Sequence, residues 1–258
     1  MSDRPPAWSD PAAEEAYVER HAALYDAHCY DAASMAYRRA FVYPALWGGL
    51  DLNGKRVAEL ACGAGHDSEA LLAAFPRARI EGFDISPAAC GRYTARVGAP
   101  AHEADLTQPL AEMAPFDAAI VVDGLNRCVA DLPTVIRNVA GLLKPGGIFM
   151  MVEPSRGVLL EAVRRLAYRL DRPFADAHDA TLDHDALLAI GAPWFQPRRV
   201  VHFGGPAYLA MLNSMILRIP LHWKPRLAPP LMAIERLWNR LPSRRLKNVF
   251  AAQWVRVA

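Results

Sequence analysis

Val57 to Gly65 read VAELACGAG, an apolar run that carries one carboxylate, Glu59, four places ahead of a Gly-Ala-Gly turn. Arg56 to Leu60 is expected to be a buried strand and His66 to Phe75 the helix after it. Gly63 and Gly65 would let the backbone between them turn sharply and approach a ligand closely. A dinucleotide would bring its pyrophosphate to this bend, where Glu59 would repel it. An ammonium or sulfonium group would be attracted. Ser68 also stands where the dinucleotide fingerprint has its third glycine. Both departures favour S-adenosylmethionine over NAD as the ligand of this bend.

The chain downstream repeats the strand-then-carboxylate arrangement. Arg79 to Phe83 is expected as a second strand ending in Asp84, about 20 residues past the first glycine, where a carboxylate can accept from both ribose hydroxyls. Asp84 is equally a residue type that forms turns and caps ahead of Ser86-Pro87. Ala101 to Ala104 leads to Asp105-Leu106 at the end of a third strand. There an adenine would rest against the Leu while the Asp accepts from its exocyclic amine, or the Asp is an ordinary loop residue.

These segments resemble, in order, the motifs of the class I S-adenosylmethionine-dependent methyltransferases of the small-molecule type. VAELACGAG is similar to the first motif, GFDIS to the second and EADL to the third; FDAAIVVDGLN matches the fourth, and LLKPGGIFMMVEP the turn and fifth strand. The resemblance runs from about Gly54 to Glu153. It implies an α/β fold with a Rossmann-like, seven-stranded, mostly parallel sheet, a reversed last strand and helices on both faces. It also implies S-adenosylmethionine lying across the carboxyl ends of strands one, two and four. On that basis Glu59 would bind the methionine ammonium, the backbone from Gly63 to Gly65 would fit beneath the methionine moiety, Asp84 would hold the ribose, and Ala61 and Ile85 would also line the cofactor site. Asp105 and Leu106 would hold the adenine, and Val122 and Asp123 would border the transferred methyl.

Two departures narrow the chemistry. Many small-molecule members carry histidines after the fourth strand, whereas here Leu125 is followed by Asn126, Arg127 and Cys128. The aromatic-proline signature of nucleic-acid base methylases is absent too, with Val122-Asp123-Gly124 in its place. Nucleic acid is therefore not the expected substrate. A cofactor-binding protein that transfers no methyl group, a scaffold or a rearrangement or decarboxylation enzyme, is the alternative.

At 258 residues and 53% hydrophobic, the chain can bury a substantial core. Cys29, Cys62, Cys90 and Cys128 show no metal or disulfide spacing, and no apolar run reaches the roughly 18 residues of a membrane span. A cytoplasmic protein is expected. The net charge of +2 conceals an asymmetry: residues 196–258 hold eleven Lys and Arg against the single Glu235. Apolar residues from Tyr208 to Ile219 accompany that basic charge, which suggests a lid or an interfacial face and permits peripheral contact with an anionic membrane.

Three regions are expected: an N-terminal helical cap over 1–50, the α/β core over 51–203 and 248–258, and a helical lid over 204–247 between the last two strands, Val200 to Phe203 and Phe250 to Val257. The cap carries Tyr17, Leu24, Tyr25, Met35, Phe41 and Leu46 at helical spacing. Val158 to Leu170 is expected as an amphipathic helix. Cap, lid and the 171–185 loop would close over an apolar pocket for a small, hydrophobic or lipid-linked acceptor, or the lid would serve as a homodimer face. Asp176 to Asp185 clusters carboxylates and imidazoles, but helix capping explains the acids from Asp183 onward, and no metal is expected. His178 is the first candidate for a general base, because an unperturbed imidazole titrates near neutrality; His28, Tyr25 and Asp123 stand in reserve.

Overall fold

The computed structural model describes residues 23–110, 113–155, 157, 181–215 and 217–257. His178, Tyr17, the helix expected over Val158 to Leu170 and most of the 171–185 loop lie outside them. The chain divides into two compact units. An α/β unit comprises Val42–Ser155, Asp179–His202 and Val249–Ala258. A helical unit comprises Met1–Phe41, Arg156–His178 and Phe203–Asn248. Residues 23–41 and the segment between the last two strands thus share one unit, while residues 42–50 pack in the other.

The α/β unit is built on seven strands: β1 (Arg56–Leu60), β2 (Arg79–Asp84), β3 (Ala101–Glu103), β4 (Phe116–Val122), β5 (Leu143–Pro154), β6 (Phe195–Phe203) and β7 (Val249–Arg256). Their order in the sheet is β3-β2-β1-β4-β5-β7-β6. β1 pairs in parallel with β2 and β4, and β4 with β5, while β7 runs antiparallel to β5. Strands buried on both faces read as continuous apolar runs, as in Ala118–Val121 and Phe149–Val152. β6 begins at Phe195, five residues ahead of the expected start.

Local signals set the helix ends. Ser86 caps the helix Pro87–Val97, which stops at Gly98 in the left-handed region (φ 70°). Asp131 caps Leu132–Leu142. Asp183 caps His184–Gly191 through the amides of Asp185 and Ala186, which accounts for the acidic start of that helix. The core between sheet and helices contains Leu60, Phe83, Phe116, Phe149, Met151 and Trp254, all buried.

In the helical unit, α1 (Ala32–Tyr37), α2 (Pro206–Leu212) and α3 (Lys224–Trp238) meet around two buried charges. The Lys224 ammonium, fully buried, donates to the carboxylate of Asp31, the hydroxyl of Ser34 (2.7 Å) and the carbonyls of His28 (2.5 Å) and Met211 (2.8 Å). Glu235 accepts from the Tyr37 hydroxyl (2.8 Å) and from the amides of Gly205 (2.7 Å) and Ala207 (2.9 Å), which places a carboxylate at the start of α2. Four acceptors around one ammonium compensate for its desolvation, and removing it would leave the Asp31 carboxylate without its counter-charge. Lys224→Met should therefore lower stability by about 3 kcal/mol. Hydrogen exchange should show the loss concentrated in Ala32–Tyr37, with the amides of β4 and β5 unchanged.

Candidate functional site

The carboxyl ends of β1, β2 and β4 carry a linked set of bends and carboxylates. After β1, Ala61 (φ 52°) and Gly63 (φ 52°) both adopt the left-handed region, and Gly65 follows at φ 80°. The two glycines serve different ends. A Cβ on Gly65 would strike Val97 and Tyr93, at 2.5 and 2.8 Å, so its absence lets the helices pack. A Cβ on Gly63 would meet nothing within 4 Å, so that face of the bend is open.

Asp84 joins this bend to the end of β2. One carboxylate oxygen accepts from the Gly63 amide (2.9 Å) and the other from the Ser86 amide (2.9 Å). Each oxygen keeps further acceptor capacity, as two ribose hydroxyls would require. Ile85, next in the chain, is 67% exposed, an apolar side chain left in water beside a carboxylate. Glu59 is buried, only 4% exposed, and accepts from the Ser68 hydroxyl, which also meets the Tyr93 hydroxyl at 2.8 Å. Burial first, and the Glu59 carboxylate second, push the Cys62 thiol and the Tyr93 phenol well above their ordinary values. Cys62 is thus held as a neutral thiol, not an activated nucleophile.

The third strand end differs in detail. Asp105 folds back on its own turn, accepting from the amide (2.8 Å) and hydroxyl (2.7 Å) of Thr107. The Leu106 side chain is buried in the core, and its carbonyl accepts from Asn138. At the end of β4, half-buried Val122 precedes Asp123, a non-glycine residue at φ 59°. Side chains in that region cost on the order of 1–3 kcal/mol, and such residues cluster where function demands the geometry. A Cβ on Gly124 would lie 2.8 Å from that of Ala61, so the turns after β1 and β4 approach as closely as a missing side chain permits.

Sequence reasoning assigned no role to Glu153, which organises that second turn. Fully buried at the end of β5, it accepts from the amides of Gly124 (3.1 Å), Leu125 (2.8 Å) and Asn126 (3.2 Å). Asn126, also buried, donates to Asp123 (3.2 Å). Burial, and next the nearby Asp123 carboxylate, raise the Glu153 pKa to about 8, against the pull of its three amide donors. A signal was present in the sequence: a lone acid closing the apolar run MMVEP.

The reserve base candidates Tyr25 and His28 belong to the helical unit. The His28 ring meets the Ser214 hydroxyl at 2.9 Å, and burial together with Lys224 lowers its pKa. Among the described residues, no group of three or more His, Cys, Asp or Glu is arranged to hold a metal ion.

The sheet order and strand ends define a Rossmann-like methyltransferase fold, and comparison with known proteins agrees. Residues 58–149 match the model of a methyltransferase domain family. An uncharacterized methyltransferase of Synechocystis is 37% identical over 109 residues, 40% of this chain and 49% of that protein. Trans-aconitate 2-methyltransferase of Methylobacterium radiotolerans is 27% identical over 200 residues, 77% of this chain and 65% of that one. The chain thus spans about half to two thirds of the length of the curated relatives it matches. The N-methyltransferase NodS of Bradyrhizobium japonicum, solved with S-adenosylhomocysteine, shares the fold at a TM-score of 0.53 and 14% identity, covering 87% of this chain and 88% of that one.

Residues 58–149 thus resemble a class I S-adenosylmethionine-dependent methyltransferase domain, set in the Rossmann-like sheet of that fold. The chain's own residues leave room for that cofactor: an open glycine face lies beside Asp84, whose carboxylate keeps spare acceptor capacity, with exposed Ile85 next to it.

Two measurements probe these assignments. Asp84→Ala should weaken S-adenosylhomocysteine binding at least tenfold by calorimetry, the order expected from losing charge-assisted bonds worth about 1.5–3 kcal/mol. For Glu153, the folded pKa of about 8 lies above the ordinary 4.5, so the folded chain holds a proton that the unfolded chain releases. That contribution to stability is full below about pH 4.5 and is lost as pH rises through about 8. The melting temperature should fall across this window, and Glu153→Gln should flatten the fall; an unchanged slope would place the proton elsewhere.

Proposed function

We propose that this chain transfers the methyl group of S-adenosylmethionine to a small, hydrophobic or lipid-linked acceptor by in-line displacement. The observation that carries the proposal is the open face of Gly63 beside the Asp84 carboxylate, on the bend after β1. The methyltransferase domain match and the relatives named as methyltransferases support the reaction class. When bound, the cofactor supplies a methyl group activated by its sulfonium. The acceptor–carbon bond forms as the sulfur–carbon bond breaks, its electron pair returns to sulfur, and an acceptor that carries a proton gives it up.

The chain's own residues have three tasks in this reading. Glu59, beneath the glycine bend, biases the site toward a cation. Asp84 fixes the sugar, which sets the direction in which the methyl points. Asp123 and its turn, held from behind by Glu153, border the methyl, and Asp123 is the proton acceptor that the α/β unit itself carries. An apolar acceptor is supported by the composition of the segment between the last two strands, from Tyr208 to Ile219.

One observation favours the non-transferring alternative. The turn after β4 offers Asn126, Arg127 and Cys128 in place of histidine, and burial, with Glu153 next, pushes the Cys128 thiol up to about 11. Incubating the protein with methyl-labelled cofactor and a lipid extract of its own cells separates the two readings. Methyl transfer predicts stoichiometric S-adenosylhomocysteine and label in the organic phase. Tight cofactor binding without either product, across lipid and aqueous extracts, would establish the alternative.

A further inference from the structure

The third helix of the helical unit, α3, carries an apolar stripe on its outer face. Leu227, Pro230, Ile234 and Leu237 follow one another at intervals of three and four residues, the spacing that keeps side chains on one side of a helix, with Trp223 immediately ahead of the helix and Leu241 three residues past its end. A core-facing stripe would be buried. Here Trp223 is 54% exposed, Ile234 46% and Leu237 64%, with Pro230 and Leu241 exposed as well and Leu227 half-buried. The opposite side of the helix holds Lys224, Ala228 and Glu235, all buried. Leu217 and Leu221, just ahead of the helix, are exposed too.

The exposed charge of residues 206–248 has one sign. Arg218, Arg226, Arg236, Arg240, Arg244 and Arg245 are exposed; Arg226 lies by helical geometry along the flank of the stripe, and Arg240 follows just past the end of the helix. The sole carboxylate from residue 196 onward, Glu235, is turned inward onto Tyr37 and the start of α2. No acid therefore reaches the surface of residues 206–248. Between the first and third helices an apolar groove of about 480 Å³, floored by Ala32, Ala33, Ala36 and Ala228, opens beside Arg236.

We infer that this face docks on the surface of an anionic lipid bilayer, with the α3 stripe entering the headgroup region and the arginines meeting lipid phosphates. An exposed apolar ridge with a Trp at one end and arginines alone beside it matches that boundary in both polarity and charge. A second copy of the chain fits poorly. A symmetric contact through the stripe would set arginine against arginine, with no exposed carboxylate in residues 206–248 to relieve them. The inference is independent of the methyl-transfer reading.

Flotation of the full chain with vesicles tests it. Binding is expected on phosphatidylcholine vesicles containing phosphatidylserine, at least tenfold weaker on phosphatidylcholine alone, and reduced by high salt. Trp223→Ser combined with Leu237→Ser, and separately Arg226→Glu with Arg240→Glu, should each cut binding at least tenfold. Both variants should keep the circular dichroism and S-adenosylhomocysteine affinity of the parent, because all four residues are exposed and remote in sequence from the strand ends. Failure of the parent to float, or equal flotation on neutral vesicles, would overturn the inference. So would a dimer, seen by sedimentation, that the Trp223/Leu237 substitutions dissolve, or retention on duplex DNA without flotation. None of these results bears on cofactor binding.

Discussion

One hydrogen bond ties the site together: the Gly63 amide to the Asp84 carboxylate, across the carboxyl ends of adjacent strands β1 and β2. A parallel pair brings its strand ends to the same edge, so a carboxylate at the end of one can reach the turn after the other. That bond fixes the glycine bend after β1 against the residue expected to hold the sugar, and it leaves the glycine's outer face clear. The neighbouring turn is fixed by the same device. Glu153, at the end of β5, collects three amides of the turn after β4, and the Gly124 approach to Ala61 sets the two turns together. Two left-handed non-glycine residues, Ala61 and Asp123, flank the point where the order of the strands reverses. Ligand sites of open α/β sheets lie at such points.

The parts of this arrangement that were legible in the sequence are the local ones. A glycine bend after an apolar strand, a carboxylate ending the next strand, and a Ser-Pro or Asp cap starting a helix each declare themselves within a few residues. β6 did not, because its segment Gln196–Arg199 is exposed and contains Pro197, so only its last four residues read as a strand. Leu106 read as a surface for adenine, but core packing claims its side chain. Glu153 was hidden for a different reason. Its partners lie 27 to 29 residues away, and only strand pairing brings them to it.

Charge counting captured only part of the C-terminal segment. The excess of cations there was visible, but not its partition between inside and outside. Lys224 and Lys247 are buried, the first against Asp31 and three neutral acceptors, the second donating to the carbonyl of Trp238. Glu235 is buried with them as a helix cap. Lys224 and Glu235 are each met by several oriented partners, which is the condition under which desolvation of a charge is tolerated. The outward charge is then carried by arginine alone. A tally by residue type gives the correct sign for the segment but conceals that its surface has no negative group.

The prolines of α3 limit how deeply such a face can enter a membrane. Pro229 and Pro230 lie inside the helix, and each lacks the amide that would bond the carbonyl four residues earlier, at Pro225 and Arg226. Both prolines are exposed, so water can serve those carbonyls at the surface of the protein. In hydrocarbon nothing would, and each unmet carbonyl would cost several kcal/mol. A helix of 15 residues, about 22 Å long, is also short of a bilayer's thickness. Backbone chemistry and length therefore agree with the side-chain pattern. This helix suits the wet headgroup layer, where its Leu, Ile and Trp side chains reach inward while its proline-freed carbonyls and arginines stay among water and phosphate.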